Sequence, residues 1–377
     1  MKYRVLIFAF ALTTAAANLV FAQNYKSSHG EAHAVFVMTN SPYRNEIIGY
    51  RRLTNGSLRE AGRFFTGGRG SGGKVDPLSS QGSLVLSDNG DYLYAANAGS
   101  GTVSVFRIRG ASLWLEDVQP TFGVEPNSIA QRGDLLYVLN AATASSVVGF
   151  HIRGNGRLVP IPHSHAFLSG NEVGPADISI SPDSRFLLVT ERITNNIDVF
   201  AIQQDGTLGP IVINHDATPG TFAFAFSSDG ALLVTETGPA GGTNASSVST
   251  FLIDASGKLT PVGVAIPTLG AAACWNIVTP TGKFTYVSNA GTSTISGYSI
   301  APGGSLAPLP GTVVGKNPPN STNLDLAISN DERFLYTLNG AAGTISIFAI
   351  QSDGGLILRN LVSGLPASSG LNGIAAY

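Results

Sequence analysis

One pattern of alternating apolar and polar residues recurs along almost the whole chain. Each copy is a short aliphatic and aromatic run that closes on a polar residue, which is typical of a β-strand. Seven copies occur, at residues 34–40, 92–97, 135–140, 186–191, 232–236, 284–289 and 334–339. The pentapeptide LLVTE even appears twice unchanged, at 187–191 and 232–236. The recurrence predicts one structural unit repeated seven times.

Further strands surround each copy. A second alternating run follows it, as at 102–106 and 294–298, and then a glycine turn leads to a leucine. Asn155-Gly156 and Asp205-Gly206 are favourable hairpin dipeptides, because glycine adopts a positive φ without steric conflict. Another strand precedes every copy except the first, as at 178–183. Each unit is therefore predicted to hold four strands.

Four-stranded units that recur every 40–50 residues or so are typical of propeller blades. The first unit lacks its opening strand, and residues 371–377 resemble residues 126–130. We expect the C-terminus to supply the missing strand and so to remove an exposed sheet edge. The predicted fold is all-β, a seven-bladed β-propeller of four-stranded antiparallel blades over residues 33–377, closed by the C-terminal strand.

The N-terminus has the features of a secretory signal peptide. Lys2 and Arg4 precede an apolar run, Val5 to Ala17, and Val20-Phe21-Ala22 offers a cleavage site. The run is shorter than the ~20 apolar residues that a membrane span needs. We expect a signal peptide at 1–22, a linker at 23–32, and a secreted or periplasmic protein without membrane association after cleavage.

Composition narrows the choice of partners. Hydrophobic residues make up 43% of the chain and charged residues 12%, so a large core is expected. The net charge of −2 and the scattered arginines exclude nucleic acid, which needs clustered positive charge. Cys274 is the single cysteine, so an internal disulfide or a CxxC site is impossible. We expect a monomer with neither cofactor nor metal.

The strand copies end on polar residues that we expect near the mouth of the central channel. They are Asn40, Asn97, Asn140, Glu191, Glu236, Asn289 and Asn339. Two neighbouring carboxylates raise each other's pKa, which would suit a general base. The alternative is that these side chains cap strand ends by bonding backbone groups. We take Glu191 and Glu236 as candidate catalytic residues, and Asn97, Asn140, Asn289 and Asn339 as candidate substrate contacts.

Other residues near the same mouth are candidates as well. Arg192 is a possible partner for the carboxylates, and Asp177 a further substrate contact. Asp177 and Asp325 hold matching positions in two first strands, where they could join Glu191 in a cation site. Residues 68–74, GRGSGGK, fail as a phosphate-binding loop, because Val75 replaces the Ser or Thr and no helix follows. We expect a loop between blades that borders the mouth.

Several of these motifs resemble the lactonase family of seven-bladed propellers. They are Ser181-Pro182-Asp183 with residues 186–189, the Asn-Ala-Gly sequences at 97–99 and 289–291, and the glycine-leucine hairpins. The family includes the propeller-type 6-phosphogluconolactonase and the 3-carboxy-cis,cis-muconate cyclase.

The resemblance implies a site of His and Arg on neighbouring first strands, with a Glu just after a second strand. The aligned positions in this chain hold Ala176, Thr221-Phe222 and Asn196, and Glu236 lies within about one residue of the expected Glu.

Two functions follow. One is a secreted lactonase or cycloisomerase acting on a small carboxylated or sugar-derived lactone, with Glu191 or Glu236 as base. The other is a non-catalytic extracellular propeller that binds a glycan, a peptide or a protein.

Overall fold

Seven antiparallel sheets form the blades of the computed structural model, which describes residues 33–239 and 242–377. The predicted signal peptide and linker, 1–22 and 23–32, lie outside the described residues. Blades are numbered 1 to 7 in chain order, and each has four strand positions counted outward from the axis.

Each blade contributes one strand to each position. In order from blade 1 to blade 7, the first strands are β29 (Ile374–Ala376), β4 (Leu84–Leu86), β8 (Val124–Arg132), β13 (Pro175–Ile180), β17 (Thr221–Phe226), β21 (Ala273–Val278) and β25 (Asn323–Ile328). The second strands are β1 (Ala34–Met38), β5 (Tyr92–Asn97), β9 (Leu135–Ala142), β14 (Phe186–Glu191), β18 (Leu232–Glu236), β22 (Phe284–Asn289) and β26 (Phe334–Asn339). The third strands are β2 (Glu46–Arg52), β6 (Thr102–Arg109), β10 (Ser146–Ile152), β15 (Asn196–Ile202), β19 (Ser247–Ile253), β23 (Thr294–Ile300) and β27 (Thr344–Ile350). The outer strands are β3 (Leu58–Phe65), β7 (Ser112–Pro120), β11 (Leu158–Pro160) with β12 (Ala166–Phe167), β16 (Leu208–His215), β20 (Leu259–Pro267), β24 (Leu306–Lys316) and β28 (Leu356–Val362).

The C-terminal strand closes the ring. β29 pairs with β1 in antiparallel register, Val35 opposite Ala376 and Val37 opposite Ile374. β29 also contacts the first strands on either side, β4 and β25, so first strands touch all the way around the axis. The predicted closure and the predicted seven-bladed fold are both confirmed.

The core lies between blades rather than inside one layer. Every residue of β14, β22 and β26 is buried, because a blade packs against a neighbour on both faces. Tyr94 and Val105 of blade 2, for example, pack against Ile129 and Val138 of blade 3. Burial of this apolar surface, at about 25 cal/mol per Å², is the main stabilising term. It also explains why the second strands carry nearly continuous apolar runs.

The hairpin glycines have the predicted geometry. Gly56 and Gly156 have φ of 86° and 84°, which other residues adopt only with strain. A Cβ on Gly56 would lie 2.3 Å from the Phe334 ring of blade 7, so a side chain at this turn would clash with that ring.

One face of the ring gathers three kinds of segment, and we call it the mouth face. The second strands end there, the loops from second to third strands lie there, and so do the linkers between blades, such as residues 66–83. Over the described residues, no helix has the length and apolar character needed to cross a membrane.

Candidate functional site

The linker between blades 1 and 2, residues 66–83, reaches into the central channel. Trp275 Nε1 of blade 6 donates to the Ser80 carbonyl oxygen over 2.9 Å. The Gln81 backbone N–H donates to the Ala176 carbonyl of blade 4 over 2.9 Å, and the Asn276 N–H donates to Gln81 Oε1 over 3.0 Å. These bonds join blades 4 and 6 across the axis. Residues 80 and 81 of the linker therefore fill part of the channel between blades 4 and 6.

Asp177 is bonded to this filling segment. It is 3% exposed, and its carboxylate accepts from the Phe224 N–H over 3.0 Å and from Gln81 Nε2 over 3.4 Å. Burial raises the pKa of Asp177 to about 8. Its predicted role as a substrate contact stays a prediction, because its bonds brace blade 4 against blade 5 and the linker.

Asp325 holds the matching position in blade 7, as the sequence predicted. Its carboxylate accepts from the Leu326 N–H over 2.9 Å and from the Ile374 N–H of blade 1 over 3.3 Å. Burial raises its pKa to about 7. Among the described residues, no three His, Cys, Asp or Glu side chains are grouped to hold a metal ion. The cation site expected from Asp177, Asp325 and Glu191 is therefore not assembled.

The first strands of blades 4 to 7 carry a buried apolar cluster beside this filling segment. Ala176, Phe222, Cys274 and Leu324 are all buried and belong to one hydrophobic cluster. The Phe222 ring packs edge-on against Trp275, with the ring centroids 5.4 Å apart. Ala176 and Phe222 occupy first-strand positions where the family resemblance implies His and Arg. Apolar packing thus replaces the polar groups expected there.

Arg192 is a cation beside this apolar cluster. It follows β14 directly, and its guanidinium carbon lies 5.7 Å from the centroid of the Phe222 ring. Its Nε is buried without a hydrogen-bond partner, and no carboxylate of the described residues lies within 4.0 Å of the guanidinium. The expected pairing with Glu191 is not formed. Arg192 therefore keeps its charge available for an anionic group.

Asp76 of the same linker is an acidic group that the sequence analysis missed. It is half-buried, and Asn372 Nδ2 of blade 1 donates to its Oδ1 over 3.5 Å. Burial raises the pKa of Asp76 to about 7, although the charge of Arg192 lowers it. The signal that could have found it is modest: Asp76 is the single acidic residue between Thr66 and Ser83.

The polar residues that end the second strands lie inside the blades, at junctions that we call nodes. In blade 7, Asn339 Nδ2 donates to Thr344 Oγ1 over 3.1 Å and to Ser346 Oγ over 2.8 Å. The Ser321 hydroxyl, from the preceding linker, donates to Asn339 Oδ1 over 3.3 Å. The node thus ties the second strand to the third strand and to the linker.

The other amides form similar nodes. Asn97 donates to Ser104 Oγ over 2.7 Å, and Asn289 donates to Ser296 Oγ over 2.8 Å. Asn140 donates to the Thr121 carbonyl over 3.2 Å. All these asparagines are fully buried. Of their amide N–H groups, only that of Asn140 bonds a backbone group, as the capping alternative expected, and the others bond side-chain hydroxyl groups. Their predicted role as substrate contacts stays a prediction.

In blade 4 the node is acidic. Glu191 accepts from Ser169 Oγ over 2.6 Å, and the Ser169 N–H lies 3.1 Å from both Glu191 Oε1 and Asp198 Oδ2. Burial, together with the neighbouring Glu191, raises the pKa of Asp198 to about 8. Asp198 therefore holds its proton more tightly than an exposed aspartate does.

Blade 5 has a second acidic node. Glu236 Oε2 accepts from Ser247 Oγ over 2.6 Å, while Glu236 Oε1 is buried without a partner. Burial and the charge of Asp216, in the preceding linker, raise the pKa of Glu236 to about 8. Among the described residues, no hydrogen bond joins Glu191 to Glu236. Both glutamates are covered by linkers, and their catalytic role stays a prediction.

The fold is a closed seven-bladed β-propeller in which the Arg192 guanidinium lies beside a buried apolar cluster. The model of the family described as lactonase, 7-bladed beta-propeller, matches residues 5–171, 160–275 and 270–370. The chain belongs to this family.

A curated relative supports that assignment. A 6-phosphogluconolactonase of Formosa agariphila is 32% identical over 136 residues, which cover 34% of this chain and 37% of that protein. The chain thus matches little more than a third of the length of this curated relative.

Solved structures show the same fold. The crystal structure of a proposed 6-phosphogluconolactonase from Bacteroides fragilis has a TM-score of 0.67 at 18% identity and covers 92% of this chain and 98% of that one. The periplasmic gluconolactonase of Pseudomonas aeruginosa has a TM-score of 0.66 at 18% identity, with 90% and 98% covered.

Proposed function

We propose that the protein is an exported lactonase that opens a small lactone at the mouth face. Family membership and the Formosa agariphila relative support the reaction class. The observation that carries the proposal is Arg192, a guanidinium with no acidic partner among the described residues, beside a buried apolar cluster. Attack on a lactone carbonyl creates an oxyanion, and a positioned cation stabilises that charge in the transition state.

Arg192 favours a lactone that carries a carboxylate, because a guanidinium fork matches carboxylate geometry. The carboxylate and the developing oxyanion would then compete for, or share, the guanidinium fork of Arg192.

Glu191 and Glu236 remain candidates for the base, with the amide nodes as substrate contacts. For that role the covering linker residues, Ser169 and Asp216, must move away, because both glutamates are fully buried. The double variant Glu191→Gln/Glu236→Gln tests the role: unchanged turnover removes both glutamates from the chemistry.

A non-catalytic propeller is the second candidate function. The filled channel and the apolar residues at the expected His and Arg positions favour it. It predicts saturable binding of a glycan, a peptide or a protein on the mouth face without turnover.

A pH-stat assay separates the two functions. The purified full chain, produced in an exporting host, is offered glucono-δ-lactone, 6-phosphogluconolactone and a muconolactone, and acid release is compared with buffer alone. We expect release that falls about 100-fold in Arg192→Ala, the usual loss for one transition-state donor. Arg59→Ala, on the exposed edge of β3, is the matched control and should leave the rate unchanged. No release from any lactone by the unmodified protein would overturn the lactonase proposal.

A further inference from the structure

We propose that a cavity between blades 2 and 3, on the face opposite the mouth, binds a neutral saccharide. The cavity has a volume of about 510 Å³. Pockets of about 300–1,000 Å³ are typical of small-molecule sites. The proposal does not depend on the lactonase function, because the cavity and the mouth lie on opposite faces of the ring.

Three turns on that face form the cavity. They are the turn between β4 and β5, the turn between β8 and β9, and the turn that follows β10. Hydrogen bonds join the first two turns across the blades. The Asp88 N–H donates to Gln131 Oε1 over 2.8 Å, and the Gly133 N–H donates to Asp88 Oδ2 over 2.9 Å. The walls are therefore held in place before a ligand arrives.

Tyr94 lines the cavity with a polar group that has no partner. The residue is 0% exposed, and its hydroxyl forms no hydrogen bond with the described residues. At the same position in blades 3 and 6, Tyr137 and Tyr286 each donate to a backbone carbonyl of the next blade over 2.8 Å. Leaving a buried polar group unbonded is costly. The Tyr94 hydroxyl is thus free to bond a group that enters the cavity.

Blade 7 offers a comparison at the same position. The hydroxyl of Tyr336 is also buried without a partner among the described residues. The cavity between blades 7 and 1, however, is lined by Phe334 and not by Tyr336. An unbonded hydroxyl and a cavity therefore coincide at Tyr94 and not at Tyr336, which makes Tyr336 a matched control.

The charges around the cavity favour a neutral ligand over an ion. Carboxylates and guanidinium groups both line it, namely Asp88, Asp91, Asp134, Arg107 and Arg153. An ion of either sign would meet a like charge as well as an opposite one, and a like charge weakens binding. A hydroxyl group both donates and accepts hydrogen bonds. A ligand with several hydroxyls can therefore donate to the carboxylates and accept from the guanidinium groups at once.

An aromatic ring in the same cavity favours a saccharide among such ligands. Tyr92 lines the cavity together with Ile152, and both add apolar surface. Arg107 Nη2 donates to the Tyr92 hydroxyl over 2.9 Å, and Arg107 Nε donates to Glu116 Oε1 over 2.9 Å, so the ring is held in position. A saccharide ring has an apolar C–H face as well as hydroxyls. It therefore matches a site with one rigid aromatic side chain and several fixed polar groups.

Isothermal titration calorimetry with the full chain tests the proposal. The probes are glucose, maltose, cellobiose and N,N′-diacetylchitobiose, with glucuronate and protonated glucosamine as charged counterparts. We expect saturable binding of at least one neutral probe and weaker binding of both charged ones. Tyr94→Phe should raise the Kd of that probe about 3- to 10-fold, the usual effect of one lost hydrogen bond. Tyr336→Phe removes the same kind of hydroxyl away from the cavity and should leave the Kd unchanged.

Every other result counts against the proposal. If no neutral probe binds, or if a charged counterpart binds more tightly than all of them, a neutral saccharide site is refuted. If Tyr94→Phe leaves the Kd unchanged, the saccharide binds elsewhere, for example on the mouth face, and the cavity is not its site. Should Tyr94→Phe fail to fold, Arg153→Ala replaces it, because Arg153 is an exposed side chain of the cavity wall. The same rise in Kd is then expected, and an unchanged Kd refutes the site. Acid release from lactones should be normal in all these variants, so the lactonase function stands or falls separately.

Discussion

Blades 7 and 4 form the same kind of node from different polar groups, neutral side chains in blade 7 and carboxyl groups in blade 4. In blade 7, Asn339 bonds to the hydroxyl groups of Thr344 and Ser346, and every group is neutral. In blade 4, Glu191 and Asp198 hold the positions of Asn339 and Ser346, and burial beside Glu191 raises the pKa of Asp198 to about 8. Both nodes join a second strand, a third strand and a linker. The fold needs a bonded node there but does not dictate which polar groups form it.

The comparison also shows what a raised carboxyl pKa means in this protein. Asp198 and Glu236 have raised pKa values because they are enclosed, and the same physics raises the pKa of Asp76 in the linker. A raised pKa therefore does not identify a catalytic acid without access to substrate.

The largest expected effect comes from placing a lone acid in a neutral node. Asn339→Asp should lower the free energy of unfolding by about 3–5 kcal/mol at pH 8, because the new carboxylate is buried without a cation. The loss should be smaller at pH 5, where the acid can be protonated. Urea unfolding at both pH values measures this. Equal loss at the two pH values would show that charge is not the cause.

A smaller effect is expected from crowding an amide node. A Cβ on Gly270 would lie 2.3 Å from Asn289 Cγ, so Gly270→Ala should cost about 1–3 kcal/mol. Gly170 holds the comparable place before the acidic node of blade 4, and its nearest neighbour would be Val173 at 3.3 Å. Gly170→Ala should therefore change the free energy of unfolding by less than about 1 kcal/mol. If the two variants lose equal stability, close packing at the amide node is not the reason for glycine.

The smallest expected effect is a change in how steeply Tm falls as the pH rises. Asp198 has a folded pKa of about 8, above its ordinary value near 4, so the folded state holds the proton more tightly than the unfolded chain. Its contribution to stability is fully present below about pH 4 and is lost as the pH rises to about 8. The double variant Glu191→Asn/Asp198→Ser, which copies blade 7, should flatten this decline. Measuring Tm from pH 5 to pH 9 in both proteins checks this prediction. An unaltered decline of Tm in the double variant would mean that the raised pKa of Asp198 is not its cause.

The repeat in the sequence predicted the number of blades, the order of their strands and the closing strand. It could do so because alternating apolar residues indicate which strand positions are buried, and turn glycines indicate where the chain reverses. The strand-end residues were also correctly located: Asn97 and Glu191 do end second strands on the mouth face. Where their side chains point was harder to predict. The Asn97 amide bonds to the hydroxyl groups of Ser104 and Thr66. The bond with Thr66 forms because a linker packs against the blade.

The sequence by itself determined the propeller, because each blade's strands and turns are encoded within about 50 residues of one another. Only the tertiary structure decided the site. Arg192 and Phe222 lie in neighbouring blades, and they meet because those blades pack side by side. The filling of the channel by Ser80 and Gln81 depends on the closure of the ring. Such contacts leave no periodic trace in the sequence, since each is made once and not in every blade.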